Sequence, residues 1–230
     1  MKYKHLFFDL DKTLWDFETN SSKTLNEFYT KYTLIDKGVG SPELFIGKYH
    51  IINDVLWDEY RKDLIDKETL RYQRFHRTLS EFNINDKLLS TSMSEDYIVQ
   101  TPSNTSLFPY TYEVLDYLQE KYSLHIITNG FEETQHVKLK NCELKKYFKE
   151  IITSERAGSK KPARGIFDYS LTLTNAASEE SLMIGDDLVV DMLGAKSAGI
   201  DQIYFNPKKL QHNEHLTYEI RSLKELMLML

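Results

Sequence analysis

The chain has 230 residues, 41% of them hydrophobic and 28% charged, enough apolar side chain for one sizeable core or for a core with a smaller companion domain. A net charge of −6 argues against a nucleic-acid polymer as partner, while leaving room for a local basic pocket that takes a small anion. The lone Cys142 excludes a disulfide framework and a cysteine-rich zinc site; with no apolar stretch of membrane-spanning length and no leader pattern, a cytoplasmic protein without a membrane partner is expected.

Taken in chain order, residues 3–8 form a short apolar run and read as a first strand, closed by Asp9 and Asp11. The pattern then changes. Residues 16–102 carry helical periodicity at 21–32, 42–64, 67–82 and 87–99 and no strand run, with turn chemistry in "DKGVGSP" and a polar linker in "TPSNTS". Beyond it, apolar runs at 124–128, 150–153, 181–184 and 202–205 alternate with helical patterns at 110–122, 134–139, 165–175 and 192–198, the last followed by Gly199 as a C-cap. Strands buried on both faces and separated by helices predict an α/β fold, a doubly wound parallel sheet made of 1–15 and 103–230, with 16–102 as an inserted all-helical domain. The C-terminal "SLKELMLML" reads as a short amphipathic helix on the core.

Ligands of a parallel α/β sheet bind beyond the carboxyl ends of its strands. Reading each run to its end collects Asp9 and Asp11, Thr128 and Asn129, Lys160 and Lys161, and Gly185, Asp186 and Asp187. Clustered carboxylates repel one another unless a cation neutralises them. Their oxygen-only character, without an accompanying His or Cys, points to Mg2+. The seven histidines are scattered without ligand spacing, and none is assigned chemistry.

"DLDKT" at 9–13, "ITNG" at 127–130, "KKP" at 160–162 and "IGDDLVVD" at 184–191 resemble, in order, the four motifs of the haloacid dehalogenase superfamily, and the insert resembles that superfamily's small helical cap. The resemblance implies that Asp9 is the nucleophile, forming an aspartyl phosphate, and that Asp11 is general acid and then general base. It implies Mg2+ held by Asp9, the Asp11 carbonyl and Asp186, a phosphoryl group held by Thr128 and Asn129, and Lys161 balancing the charge of Asp9 and the phosphate. Asp191 matches an acidic position that orients the lysine or a metal-bound water, with the neighbouring Asp187 competing for that role.

A second aspartate two residues after the nucleophile favours phosphoryl transfer over carbon–halogen hydrolysis, because a halide leaves without a proton. The segments "IITNGFEETQHVKLKNCELKKYF", "KKPARGIFDYSL" and "LWDEYRKDLIDKETLRYQRF" are similar to the bacterial 5'-nucleotidase branch. That similarity implies a small phosphorylated substrate, a nucleoside monophosphate, with the cap over the strand ends and Trp57, Arg74 and Phe75 approaching base or sugar. The alternatives are a sugar-phosphate or other metabolite phosphatase or mutase, and an idle binding protein on the same fold. Trp57 and Phe75 also fit a plain helix-core reading, and Arg74 a salt-bridged charge.

Overall fold

The structure is a computed structural model describing residues 2–230. Strand β1 (His5–Phe8) is followed by four helices, α1 (Phe17–Lys31), α2 (Pro42–Arg61), α3 (Lys67–Ser80) and α4 (Lys87–Gln100). The chain then alternates: α5 (Thr111–Gln119), β2 (Ser123–Thr128), α6 (Glu132–Asn141), β3 (Glu150–Thr153), α7 (Ser154–Ala157), α8 (Arg164–Thr174), β4 (Ser181–Gly185), α9 (Gly194–Ser197), β5 (Asp201–Phe205), β6 (Tyr218–Ile220) and α10 (Leu226–Met229). Two compact units result: the chain up to Phe17 with Thr105–Leu230, and Glu18–Asn104.

In the first unit all six strands pair in parallel, in the order β3-β2-β1-β4-β5-β6. Side chains alternate between two buried faces. Leu6, Phe8, Ile126, Ile184 and Ile203 enter one apolar cluster, and Phe7, Ile127, Met183 and Tyr204 the other, which is why these strands read as unbroken apolar runs. Phe8 is level with both Ile126 and Ile184. The carboxyl ends of β1, β2 and β4 therefore finish together, where the strand order reverses and a crevice opens.

The helical unit is built by local signals. Ser41, Asp66 and Asp86 cap α2, α3 and α4, accepting from the N–H of Leu44 (3.3 Å), Thr69 (2.8 Å) and Leu89 (2.9 Å); such caps contribute about 1 kcal/mol each. Leu25, Phe28, Phe45, Tyr49, Phe75, Leu79, Met93 and Tyr97 form its core.

Some expectations need correction. The first strand starts at His5, and Tyr3 lies before it with its hydroxyl donating to Asp201 Oδ2 at 2.7 Å. The helix expected at 192–198 begins earlier, as a π-helical stretch at Leu188–Leu193 capped by Asp187. β6 gave no apolar run, since only Ile220 of its three residues is buried. The C-terminal segment packs as expected, with Leu223 and Leu226 in the core. Among the described residues no helix is long and apolar enough to cross a membrane.

Candidate active site

The loop after β1 sets the first carboxylate. Asp9 continues the ladder one residue past the strand, its N–H donating to Ile184 O at 2.9 Å, and only 7% of it is exposed. The chain then closes tightly: the N–H groups of Leu14 and Trp15 both reach Leu10 O (3.0 and 2.8 Å), with Lys12 at φ +65°. A non-glycine residue in that region stores strain, a feature that gathers at functional sites. The turn brings Thr13 Oγ1 to 3.4 Å from both Asp9 Oδ2 and Asp186 Oδ1.

Lys161 enters from the loop between α7 and α8. Its ammonium is buried and donates to three oxygens: Asp191 Oδ1 (2.6 Å), Asp9 Oδ1 (2.7 Å) and Ile127 O (2.9 Å). That matches its three N–H donors one for one. The Asn129 side chain fixes the lysine's backbone from both sides, Nδ2 donating to Lys161 O and Oδ1 accepting from Lys161 N, each at 2.8 Å. Burial opposes the lysine's charge, but the carboxylates of Asp191 and Asp9 overcome it and hold its pKa above the usual lysine value.

Past β4, Asp186 and Asp191 join the group. Carboxylate oxygens of Asp9, Asp186 and Asp191 lie within 4.8 Å of one another. Gly185 has to be glycine, because a Cβ there would stand 2.4 Å from Asp191 Oδ2. Asp187 is occupied differently: its Oδ1 accepts from Val189 N (3.0 Å) and Val190 N (2.9 Å) as a helix cap. The structure thus brings Asp191 to Lys161 and leaves Asp187 at the helix start. Burial, opposed by Lys161 and helped by Asp191, pushes Asp9 up to about 7. Burial and then the charges of Asp9 and Asp191 lift Asp186 well above the carboxylate range.

Three carboxyl groups face one buried ammonium, so when all three ionise two negative charges have no buried counter-charge. An all-oxygen donor set with that deficit fits a hard divalent cation such as Mg2+.

The second aspartate of the loop is held from α6. Asp11 Oδ1 lies 2.5 Å from Lys138 Nζ, and Oδ2 accepts from Gln135 Nε2 at 2.8 Å. The same Nε2 donates to Thr128 Oγ1 at 2.7 Å. Thr13, Gln135 and Lys138 are polar groups of this site that the sequence reading did not single out. The signal available was the spacing Gln135-x-x-Lys138, which places both on one helix face. Lys160 stands next to Lys161 in the loop, and the ion pairs to Asp9 and Asp191 described above are those of Lys161.

The three residues expected to approach a base belong to the helical unit. Trp57 is half-buried, its ring edge-on to Tyr60 at 5.6 Å. Arg74 is buried, its guanidinium 4.4 Å over the Tyr97 ring and its Nε without a hydrogen-bond partner among the described residues. Phe75 is a correction: it is fully buried between Phe28, Tyr49 and Tyr97, a core residue with no surface to offer a ligand.

The doubly wound parallel sheet, with acidic side chains gathered at the carboxyl ends of β1 and β4, defines an α/β fold of the Rossmann-like type. The haloacid dehalogenase-like hydrolase family model matches residues 6–205, and the chain belongs to that family. It is 31% identical to the pyrimidine 5'-nucleotidase PynA of Streptococcus pneumoniae, over 99% of this chain and 94% of that protein. It is 29% identical to the pyrimidine 5'-nucleotidase YjjG of Escherichia coli, over 98% and 97%. The solved structure of the HAD-hydrolase YfnB of Bacillus subtilis bound to magnesium superposes with a TM-score of 0.89 at 27% identity, covering 100% of this chain and 99% of that one.

Proposed function

We propose that the protein is a Mg2+-dependent phosphatase of small phosphate monoesters, acting through an aspartyl phosphate on Asp9, with nucleoside 5'-monophosphates as its substrates. The observation that carries this reading is the cluster of buried Asp9, Lys161 and Asp191 with half-buried Asp186 beside them, and Asp11 two residues from the nucleophile. Similarity to two pyrimidine 5'-nucleotidases supports the substrate class.

An Asp9 carboxylate oxygen attacks phosphorus, and the bond to the ester oxygen breaks in line. Asp11 gives that oxygen its proton, then takes one from the water that attacks the phosphoryl-enzyme and releases inorganic phosphate. Lys161 holds Asp9 in place and offsets the charge of the transferring group. The Thr128 hydroxyl and the backbone N–H of Asn129 bind the phosphoryl oxygens. Asp9, the Asp11 carbonyl and Asp186 would hold Mg2+, which supplies the positive charge that lets a carboxylate approach a phosphate. Trp57 and Arg74 are retained as the helical unit's candidates for choosing the leaving group.

The test is hydrolysis of an aryl phosphate with Mg2+. EDTA should stop it, and Asp9→Asn should lower kcat by about 10⁴-fold or more, the scale of removing a nucleophile. Metal-independent turnover or a fully active Asp9→Asn enzyme sinks the mechanism, and no turnover of any phosphate ester leaves an idle binding protein. On a panel of pyrimidine and purine nucleoside monophosphates and sugar phosphates, Trp57→Ala should reorder kcat/KM while sparing the aryl phosphate. Sugar phosphates outrunning every nucleotide by more than about tenfold, roughly 1.4 kcal/mol, would move the assignment to a sugar-phosphate enzyme.

A further inference from the structure

Helix α6 sends two side chains, one turn apart, to the carboxylate of Asp11. Lys138 is 5% exposed, with its ammonium 2.5 Å from Oδ1 and 4.2 Å over the Trp15 ring. Gln135 is fully buried, and its Nε2 bridges Asp11 Oδ2 (2.8 Å) and Thr128 Oγ1 (2.7 Å). Gly130 makes room for it, since a Cβ there would stand 2.1 Å from Nε2. The amide orientation follows from its neighbours, because turning it over would set Oε1 against a carboxylate. Its Oε1 has no partner among the described residues. A buried orphan acceptor is destabilising, and such exceptions collect where function requires the rest of the group.

Thr128 Oγ1 accepts from Gly130 N (3.0 Å) as well as from Gln135 Nε2. Two donors use both acceptor positions of a hydroxyl, so what remains to it is to donate its own proton. At Asp11, one contact on each oxygen leaves each with a lone pair for a transferred proton, so alignment and proton transfer coexist.

We propose that Gln135 and Lys138 are positioning residues: together they aim the acid/base carboxylate of Asp11, and Gln135 also commits the Thr128 hydroxyl to donating to a phosphoryl oxygen. This rests on the phosphatase reading above. It gives a single helix control of the proton-transfer group and of one phosphate-binding group.

The two arms are read separately on an aryl phosphate with Mg2+. Lys138→Met should lower kcat by about tenfold or more with KM within about twofold, and should change kcat by less than about twofold in an Asp11→Asn background, because a residue acting through another is non-additive with it. Lys138→Arg should recover most of the loss. Gln135→Glu puts an acceptor where a donor stood, and should both lower kcat and raise the inhibition constant for inorganic phosphate by about tenfold. Equal losses from Lys138→Met in both backgrounds, or an unchanged phosphate constant in Gln135→Glu, would overturn the proposal. Where Lys138→Met does not fold, Lys138→Gln carries the same cycle. Failure of the phosphatase reading shows separately, in the wild-type enzyme before any variant is compared.

Discussion

The same sheet buries ionisable groups near both of its ends and treats them in opposite ways. Towards the amino ends, His125 is 2% exposed, stacked on Phe7 with ring centroids 5.0 Å apart, and its Nε2 lies 3.2 Å from His5 Nδ1. Among the described residues no counter-charge is paired with it; burial first, then His5 and Lys149, lower its pKa to about 4, and it stays neutral. At the carboxyl ends, Asp9 and Asp191 keep Lys161 charged and between them. Burial pushes every ionisable group towards its neutral form, and only a counter-charge reverses that. A buried group left neutral serves packing. A buried cluster with an uncompensated charge is waiting for an ion or a substrate.

The comparison breaks most severely at Lys161. Lys161→Met leaves Asp9 and Asp191 buried without their cation, a change that costs about 3–5 kcal/mol when a buried pair loses one partner. For a chain of this length that is roughly 10 °C in Tm, and turnover should be lost with it. Adding Asp191→Asn should return part of the stability, since it removes one of the stranded charges. A Lys161→Met protein as stable as wild type would show that the triad holds no buried ion pair.

At the other end the signature is a pH slope. His125 has a folded pKa of about 4 against about 6.5 when unfolded, so the unfolded chain binds more protons between those values. The contribution of His125 to stability is therefore complete above pH 6.5 and falls as pH drops towards 4, by up to about 3 kcal/mol. His125→Phe, suited to the stack on Phe7, should remove this component, so that the pH profiles of wild type and variant diverge across that window. Parallel slopes for variant and wild type would mean that His125 is not held neutral.

These contrasts explain what the sequence disclosed. Strands buried on both faces announce themselves as apolar runs, and aspartates that end such runs are conspicuous, so Asp9, Asp11 and Asp186 were legible from position alone. β6 was not, because two of its three residues face solvent. Asp187 and Asp191 stand four apart in one motif, and only folding shows that the first caps a helix while the second reaches Lys161. Gln135 and Lys138 look like ordinary polar positions of a helix; their part appears when α6 meets a loop more than a hundred residues earlier in the chain. Phe75 misled for the converse reason, since an aromatic on a helix face fills a core more often than a ligand pocket.

The gentlest effect is also the one that separates the two ends most cleanly. Asp9 is raised to about 7, and Asp186 and Asp191 are raised as well, chiefly by burial, whereas unfolded carboxylates titrate near 3.9. From about pH 4 to 7 the metal-free native protein holds more protons than the unfolded chain, so these groups make its stability fall as pH rises through that window. A divalent cation needs the deprotonated oxygens and must displace those protons to bind. Mg2+ at about 100 times its dissociation constant should then add about 2.7 kcal/mol at pH 8, several degrees in Tm, and much less at pH 5. Asp186→Asn should remove the increment at both pH values, while His125→Phe should leave it unchanged. An increment of equal size at pH 5 and pH 8 would mean that the ion binds elsewhere than among these carboxylates.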